Sequence, residues 1–230
     1  MSSNTRRTKQ PPLVGFYDPA IAAPDYKGRT LSAILAWNDR KLESCHDYIQ
    51  VIFPLPEGSA FAWSVPIIDK ATFDAFRSRP ELRARLRDSF IRMLSFYGFE
   101  LQQSDHGPKV VRGPHFSAAA RNWVRRFDHN HLRITRIIRS LRVLGLEAEA
   151  KAFYEALGEV YDSYKGHIGA ESMKFWTRAI SRRLHLAPDV DSDESEGEDF
   201  LYDYDEKAAR AGEGSSAATK DSGTSAVDGS

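Results

Sequence analysis

The sequence predicts an all-α fold, a single compact multi-helix domain with one small β-hairpin and a disordered acidic C-terminal tail. Three observations lead to this prediction. Most segments carry apolar residues at helical spacing and are bounded by residues that cap helices. One segment has two short extended runs around a turn. The last part of the chain is acidic and then rich in Gly, Ser, Ala and Thr, which cannot bury enough apolar area to offset the entropy of ordering.

The same observations divide the chain into three parts. We expect residues 1–28 to form an extended, partly disordered arm, residues 29–186 the helical domain, and residues 187–230 the disordered tail. The expected anchors of the arm are its aromatic residues, namely Phe16, Tyr17 and Tyr26.

The domain opens with a short predicted helix that begins after Thr30. Asn38 is a suitable N-cap for a second helix, which we expect to run without interruption from residue 39 to residue 53. Pro54 and Pro56 end it, because proline cannot continue a helix. Its apolar residues share one face at a spacing of about 3.6 residues, and these are Leu42, Cys45, Tyr48, Ile49, Ile52 and Phe53.

The middle of the domain shows further start and stop signals. Asp69 is predicted to cap a helix that reaches about residue 77. Residues 78–81 have the pattern of a capping box, with Pro80 in the first turn of a long helix. Gly98 is expected to end that helix in a left-handed conformation.

The second half of the domain begins with the predicted hairpin, whose turn we place at residues 105–107. Asp128 is then expected to cap a helix that ends at Gly145 and carries a stripe of isoleucines and leucines. The remaining helices are expected at residues 114–127, 147–164 and 170–184.

Charge is distributed unevenly although the formal net charge is zero. From residue 187 onward there are 13 acidic residues and three basic ones, so the body is as basic as the tail is acidic. The tail either docks on the body or competes with an anionic partner, or both parts are independently solvated.

No apolar run approaches the roughly 18 residues needed to span a bilayer; this leaves peripheral membrane association open. The single cysteine, Cys45, is compatible with the cytoplasm, the nucleus or both.

A polar stripe borders the apolar face of the predicted helix at residues 39–53. Glu43, His46 and Gln50 follow one another there at helical spacing. Glu-x-x-His is also half of a di-metal carboxylate motif, but the second copy and two further glutamates are missing. The more common explanation is a partly buried histidine that fixes helix register, so we predict no metal and no cofactor.

Polar residues also open the helix after Asp128. His129 and Asn130 lie where unpaired N–H groups and the helix dipole favour anions. Arginines recur on the face opposite the isoleucines, and neighbouring ones extend the set: Arg125, Arg126, Arg133, Arg136, Arg139 and Arg142. This set is a candidate surface for nucleic acid or an acidic protein. A solvated helix face explains the same pattern without any ligand.

No motif indicates catalysis. The chain lacks a Gly-rich phosphate loop, zinc-ligand spacing and a nucleophile elbow. We therefore predict no catalytic residues; an enzyme that used His46 or His129 as a base would need a carboxylate close to both. Ser192 and Ser195 lie among carboxylates and are candidate sites for an acidophilic kinase.

Several motifs in the same order resemble one known family. They are Leu42, Glu43, His46, Tyr48, Ile49, Gln50, Phe53 and Pro54; Phe76 and Arg77; Met93, Leu94, Phe96, Tyr97 and Gly98; and His129, Asn130, Leu132, Arg133, Ile134, Thr135, Arg136, Ile137, Leu141 and Gly145. Over about residues 16–164 they resemble the N-terminal conserved domain of the opioid growth factor receptor family. His131 and Val51 depart from that pattern, and a short acidic tail replaces the long repeat region of some animal members.

The resemblance implies a helical domain and a non-enzymatic receptor-like activity that regulates growth. Its ligand would be a peptide or protein, enkephalin-like for the animal members. The expected ligand-binding residues combine the family motifs with the polar residues at the core edges, and they are Glu43, His46, Tyr48, Gln50, His129, Asn130 and Arg133.

Overall fold

The structure, a computed structural model, describes residues 10–58, 65–191 and 197–218. The chain forms two compact units, Met1–Ser181 and Arg182–Ser230. The first unit contains ten helices and one hairpin in its described residues, so the predicted all-α class with a single hairpin is confirmed. None of the described helices is both long enough and apolar enough to cross a membrane.

Four short helices begin the first unit: α1 (Pro12–Tyr17), α2 (Leu31–Leu35), α3 (Asp39–Ser44) and α4 (Ile49–Ile52). Helix α1 lies inside the stretch that we expected to be an extended arm, and both Phe16 and Tyr17 are buried as anchors, whereas Tyr26 is exposed. The Thr30 hydroxyl caps α2 by accepting from Ala33 N–H at 3.2 Å. The predicted N-cap of α3 is present, with the Asn38 side chain accepting from Lys41 N–H at 2.9 Å.

The prediction of one continuous helix over residues 39–53 is wrong. Cys45 is extended (φ −99°, ψ 129°), and the chain turns before α4 starts. The carboxylate of Asp47 stabilises this break: it accepts from Cys45 Sγ and from Arg29 Nη1, each at 2.9 Å, and pairs with Lys27. Tertiary ion pairs therefore override a pattern that locally fits a helix.

Two helices follow, α5 (Lys70–Ser78) and α6 (Pro80–Tyr97). Asp69 caps α5 by accepting from Thr72 N–H at 2.7 Å, as predicted. The predicted capping box at residues 78–81 is wrong, because the Ser78 hydroxyl donates back to the Asp74 carbonyl of α5 at 2.7 Å and Glu81 instead pairs with Arg79. Gly98 ends α6 with φ +87°, in agreement with prediction.

The hairpin consists of β1 (Phe99–Ser104) and β2 (Gly107–Arg112), which pair antiparallel with Phe99 opposite Arg112. The last four helices of this unit are α7 (Phe116–Trp123), α8 (His129–Val143), α9 (Glu147–Ser163) and α10 (Ala170–Ser181). Helix α7 is shorter than predicted because the chain leaves it at Val124 and makes a left-handed turn at Phe127 (φ +57°) before α8 begins.

Helix α8 runs through the middle of the first unit and is packed against α9 and α10. Its apolar stripe is wholly buried and consists of Ile134, Ile137, Ile138 and Leu141. Buried indole N–H groups join helices in this core: Trp176 Nε1 of α10 donates to the His131 carbonyl of α8, and Trp123 Nε1 of α7 donates to the Tyr97 carbonyl of α6, both at 3.1 Å. These bonds satisfy polar atoms that would otherwise be costly inside an aromatic core.

The second unit contains the helix α11 (Asp199–Ala218), which lies inside the segment predicted as the tail. Leu201 is its buried apolar contact. Asp205 accepts from both the backbone N–H and the Nδ1 of His185, at 3.0 and 2.8 Å. The candidate modification sites Ser192 and Ser195 lie outside the described residues.

Candidate functional site

Five of the seven predicted ligand-binding residues meet where the break between α3 and α4 faces the first turns of α8. Glu43 comes from the end of α3 and His46 from the break. His129, Asn130 and Arg133 come from α8. The helix break makes this possible, because it turns the backbone of residues 43–46 toward α8. We refer to these five residues as the polar cluster.

Arg133 holds the polar cluster together. Its side chain is only 5% exposed. One guanidinium nitrogen, Nη2, donates to the Cys45 carbonyl at 3.0 Å and lies 3.3 Å from His46 Nδ1. The other, Nη1, donates to Asn130 Oδ1 at 3.1 Å and lies 3.5 Å from Glu43 Oε2. A planar guanidinium presents several donors at fixed angles, so it can serve two chain segments at once.

Glu43 presents the only carboxylate among the five residues. Its Oε2 accepts from Asn130 Nδ2 at 3.3 Å, and its Oε1 lies 3.4 Å from His129 Nε2. The Glu43 side chain is 35% exposed, although Asn130 beneath it is fully buried. The structure therefore holds an acceptor in a fixed position at the surface.

Asp128 supports the polar cluster from the start of α8. Its Oδ1 caps the helix by accepting from Asn130 N–H at 2.9 Å, and its Oδ2 accepts from Arg125 Nε at 2.6 Å. Burial acts to raise the pKa of Asp128, but these hydrogen bonds outweigh it and hold the pKa below its usual value. Asp128 is therefore a charged cap that fixes the orientation of His129 and Asn130.

The two histidine rings lie edge to face, with their centroids 5.3 Å apart and an interplanar angle of 69°. His46 is exposed and His129 is partly exposed. Because His46 Nδ1 faces the Arg133 guanidinium, it acts as an acceptor and its Nε2 carries the proton. His46 thus offers an N–H donor in the same polar cluster that presents the Glu43 acceptor.

The other two predicted residues are placed differently. Tyr48 is fully buried: the Arg133 guanidinium lies 5.7 Å from its ring centroid, and its hydroxyl donates to Met93 Sδ at 3.6 Å. Burial raises the pKa of Tyr48 to about 12. Tyr48 therefore supports the polar cluster from below. Gln50 lies on α4, where it lines a shallow cleft with Glu57 and Arg136.

The expectation of one exposed arginine face on α8 is wrong, because these side chains reach the ends of other segments. Arg136 Nη1 donates to the Phe53 carbonyl at 3.1 Å, and burial lowers the pKa of Arg136. Arg139 is fully buried and its Nε donates to a carboxylate oxygen of Glu57 at 3.1 Å. Arg142 Nη1 donates to the Ala179 carbonyl at 2.8 Å. The exposed members of the predicted set are Arg125 and Arg126.

Two features of the polar cluster have little or no signal in the sequence. The Cys45 carbonyl takes part through the backbone, which leaves no residue-specific signal in a sequence. The support of Asp128 by Arg125 has a weak signal, because the two residues are three apart and of opposite charge. In the part of the chain that the structure describes, no three His, Cys, Asp or Glu side chains are placed to hold a metal ion.

The comparisons with known proteins identify a family. Residues 16–185 match the opioid growth factor receptor (OGFr) conserved region. The chain is 41% identical to the opioid growth factor receptor of Rattus norvegicus over 113 residues, which are 48% of this chain and 19% of the relative. It is 38% identical over 119 residues to the receptor of Homo sapiens, covering 48% of this chain and 16% of the relative.

A second group of relatives carries a related name. The chain is 36% identical over 107 residues to the opioid growth factor receptor-like protein 1 of Xenopus tropicalis, covering 46% of this chain and 20% of that protein. The chain thus spans about a fifth of the length of these curated relatives. No solved structure matches it.

Proposed function

Because the chain belongs to the opioid growth factor receptor family through its conserved region, we propose that it is a non-enzymatic binding module with opioid growth factor receptor-like activity. Its ligand is a peptide or protein segment, and it regulates growth from the cytoplasm, the nucleus or both. The family supplies the activity; the residues that carry it out are inferred from the geometry of this chain.

One observation carries the assignment of the site. Glu43 is a partly exposed carboxylate whose position is fixed by Asn130 and Arg133 below it, beside the exposed His46. An acceptor and a donor held in fixed positions match the N–H and C=O groups of a peptide backbone, or the amino group at its N-terminus. Little side-chain entropy is lost on binding, because the underlying groups are already ordered.

A catalytic role has less support from the same geometry. His129 lies 3.4 Å from the Glu43 carboxylate, as a base would need, but Nδ1 of the neighbouring His46 already accepts from Arg133, so that nitrogen is not available as a base. Binding of a polyanion also has less support, because Arg133, Arg136 and Arg142 donate to groups within the domain. Among the predicted arginines, this alternative depends on Arg125 and Arg126.

The test is calorimetric titration of the full chain with an enkephalin-type pentapeptide. We expect saturable binding that weakens about tenfold or more in Glu43→Gln, because an amide loses the charge that strengthens a hydrogen bond. His46→Ala should weaken binding as well and leave the domain folded, because His46 is exposed. His106→Ala, in the exposed turn of the hairpin, is the matched control. If the pentapeptide binds both variants as tightly as the wild type, the assignment of the site to Glu43 and His46 is wrong. If titration of the wild type gives no binding heat, the proposed ligand class is wrong.

A further inference from the structure

Two large apolar side chains are exposed at the junction of α7 and α8. Phe127 is 97% exposed and Leu132 is 71% exposed. Most other large apolar residues that the structure describes in this unit are buried, so two neighbouring exceptions in one junction are unusual. Clusters of exposed apolar side chains are typical of sites that bind other molecules.

Phe127 and Leu132 occupy the two positions that form a hydrophobic staple at a helix start. Asp128 is the N-cap of α8, so Phe127 is the residue before the cap and Leu132 is the fourth residue of the helix. Apolar residues at these two positions commonly pack on each other as a hydrophobic staple. Here Phe127 remains almost fully exposed, so the staple is open.

The backbone of Phe127 explains why the staple does not close. Its φ is +57°, in the left-handed region that a bulky residue rarely adopts. The turn lets Asp128 cap α8 and bind Arg125, but it directs the Phe127 ring into solvent. A strained, exposed aromatic residue does nothing for the stability of the free domain, which indicates that it serves contact with another molecule.

The chain segment that carries the open staple is rich in basic residues, although the Glu43 carboxylate of α3 lies 3.4 Å from His129 in the first turn of α8. From residue 106 to residue 146 the only acidic residue is Asp128, whose side chain is buried and bonded to Arg125. Arg126 and Arg121 are exposed on the same junction. The Arg126 guanidinium donates to the Gly166 carbonyl at 3.1 Å, which brings the exposed Lys165 into the same neighbourhood.

We propose that the open staple, made of Phe127 and Leu132 with the basic residues around it, is a docking surface for an acidic protein segment that carries an aromatic or aliphatic anchor. The anchor packs between Phe127 and Leu132 and completes the staple. The carboxylates of the segment face Arg126, Arg121 and Lys165, which provide charge complementarity. This surface uses none of the residues of the ligand site proposed at Glu43, and it does not depend on that proposal.

A nucleic acid is the competing occupant, because bases stack on exposed aromatic rings and phosphates bind arginines. Leu132 favours the protein segment, since an aliphatic side chain offers no stacking plane. The test therefore includes an oligonucleotide.

The experiment selects short random peptides displayed on phage against the full chain, and measures selected peptides by fluorescence anisotropy. We expect the selected peptides to combine Asp or Glu with aromatic or aliphatic residues. Their affinity should fall about 30-fold in Phe127→Gly, the loss typical of a central interface residue. It should also fall in Arg126→Glu and weaken as salt is raised.

Phe127→Gly is chosen because glycine accepts the left-handed backbone. Its melting temperature should equal or exceed that of the wild type, so a loss of binding cannot be attributed to unfolding. Ile91→Ala, at an exposed isoleucine on α6, is the control and should bind like the wild type. The proposal is overturned if no peptide is selected, if the selected peptides bind Phe127→Gly undiminished, or if a single-stranded oligonucleotide binds more tightly than the peptides in a Phe127-dependent way.

Discussion

Replacing Arg133 by methionine tests whether one side chain joins α8 to the break between α3 and α4. Methionine keeps most of the buried length but removes every donor. The Asn130 amide oxygen then loses its partner while fully buried, and the Cys45 carbonyl loses a bond of 3.0 Å. An unsatisfied buried acceptor costs about 1–3 kcal/mol. Losing the contact with Glu43 adds little to this cost, because the Glu43 carboxylate is partly exposed and water can solvate it.

These contributions predict a loss of about 3 kcal/mol in the free energy of unfolding. For a domain of this size, the melting temperature should fall by roughly 6–12 °C. Chemical denaturation followed by circular dichroism measures the free energy, and a thermal scan measures the temperature. Arg133→Lys should recover less than half of the loss, because one ammonium cannot reach both segments at once.

Arg40→Met is the matched control, since Arg40 is exposed, and we expect a change within about 0.5 kcal/mol. A double-mutant cycle with Glu43→Gln should show coupling of about 0.5 kcal/mol or more, because the two residues share one network. If Arg133→Met costs less than about 1 kcal/mol, the guanidinium does not join the segments and the description of the polar cluster as one unit fails.

Three other predictions follow from particular residues. Gly98→Ala should lower the free energy of unfolding by about 3 kcal/mol or more, because the new Cβ would lie 2.7 Å from Phe116 Cα and the backbone has φ +87°. The control Gly28→Ala, with φ +76° and open space around the new Cβ, should lower it by only about 1 kcal/mol. Equal losses in the two variants would contradict the clash at Gly98. Burial lowers the pKa of His131 below 6.5, so the folded state resists protonation of this ring, and the free energy of unfolding should decline as the pH falls below 6.5. Denaturation at several pH values should show a flatter decline in His131→Gln. An unchanged slope in that variant would assign the decline to other groups. Phe127→Gly should stabilise the domain by about 1 kcal/mol, measured by the same denaturation, and destabilisation would show that the ring packs in the free protein.

The sequence predicts best where a signal is local. Asn38, Asp69 and Asp128 cap helices as expected, because a short polar side chain before an apolar stripe satisfies N–H groups next to it. Gly98 ends its helix for an equally local reason, its freedom to adopt positive φ.

The failures have tertiary causes. Residues 39–53 fit a continuous helix, and only the ion pairs from Arg29 and Lys27 to Asp47 show why the chain breaks there. The arginines of α8 share a polar helix face, which a helical wheel places in solvent. Arg133 and Arg139 are buried and Arg136 and Arg142 half-buried, because other segments supply carbonyl and carboxylate oxygens to them, and the sequence does not reveal those partners.

The geometry of the candidate site follows only in part from local sequence patterns. Glu43 and Asn130 were identified as polar residues at the edges of two apolar stripes, and the structure brings them within a hydrogen bond of each other. Tyr48 and Gln50 were included through the continuous helix and the family resemblance. Once the helix breaks, Tyr48 is buried and Gln50 belongs to another cleft.

The bond from Arg133 to the Cys45 carbonyl also bears on how such a domain can diversify. A backbone carbonyl is supplied by any amino acid, so the frame around the helix break does not depend on which side chains the break carries. Ser44 and His46 are both exposed there, so replacing either one changes the surface without removing the bond from Arg133 to the Cys45 carbonyl. Substitutions there change the chemistry presented at this surface in single steps, while Arg133 keeps the supporting structure in place.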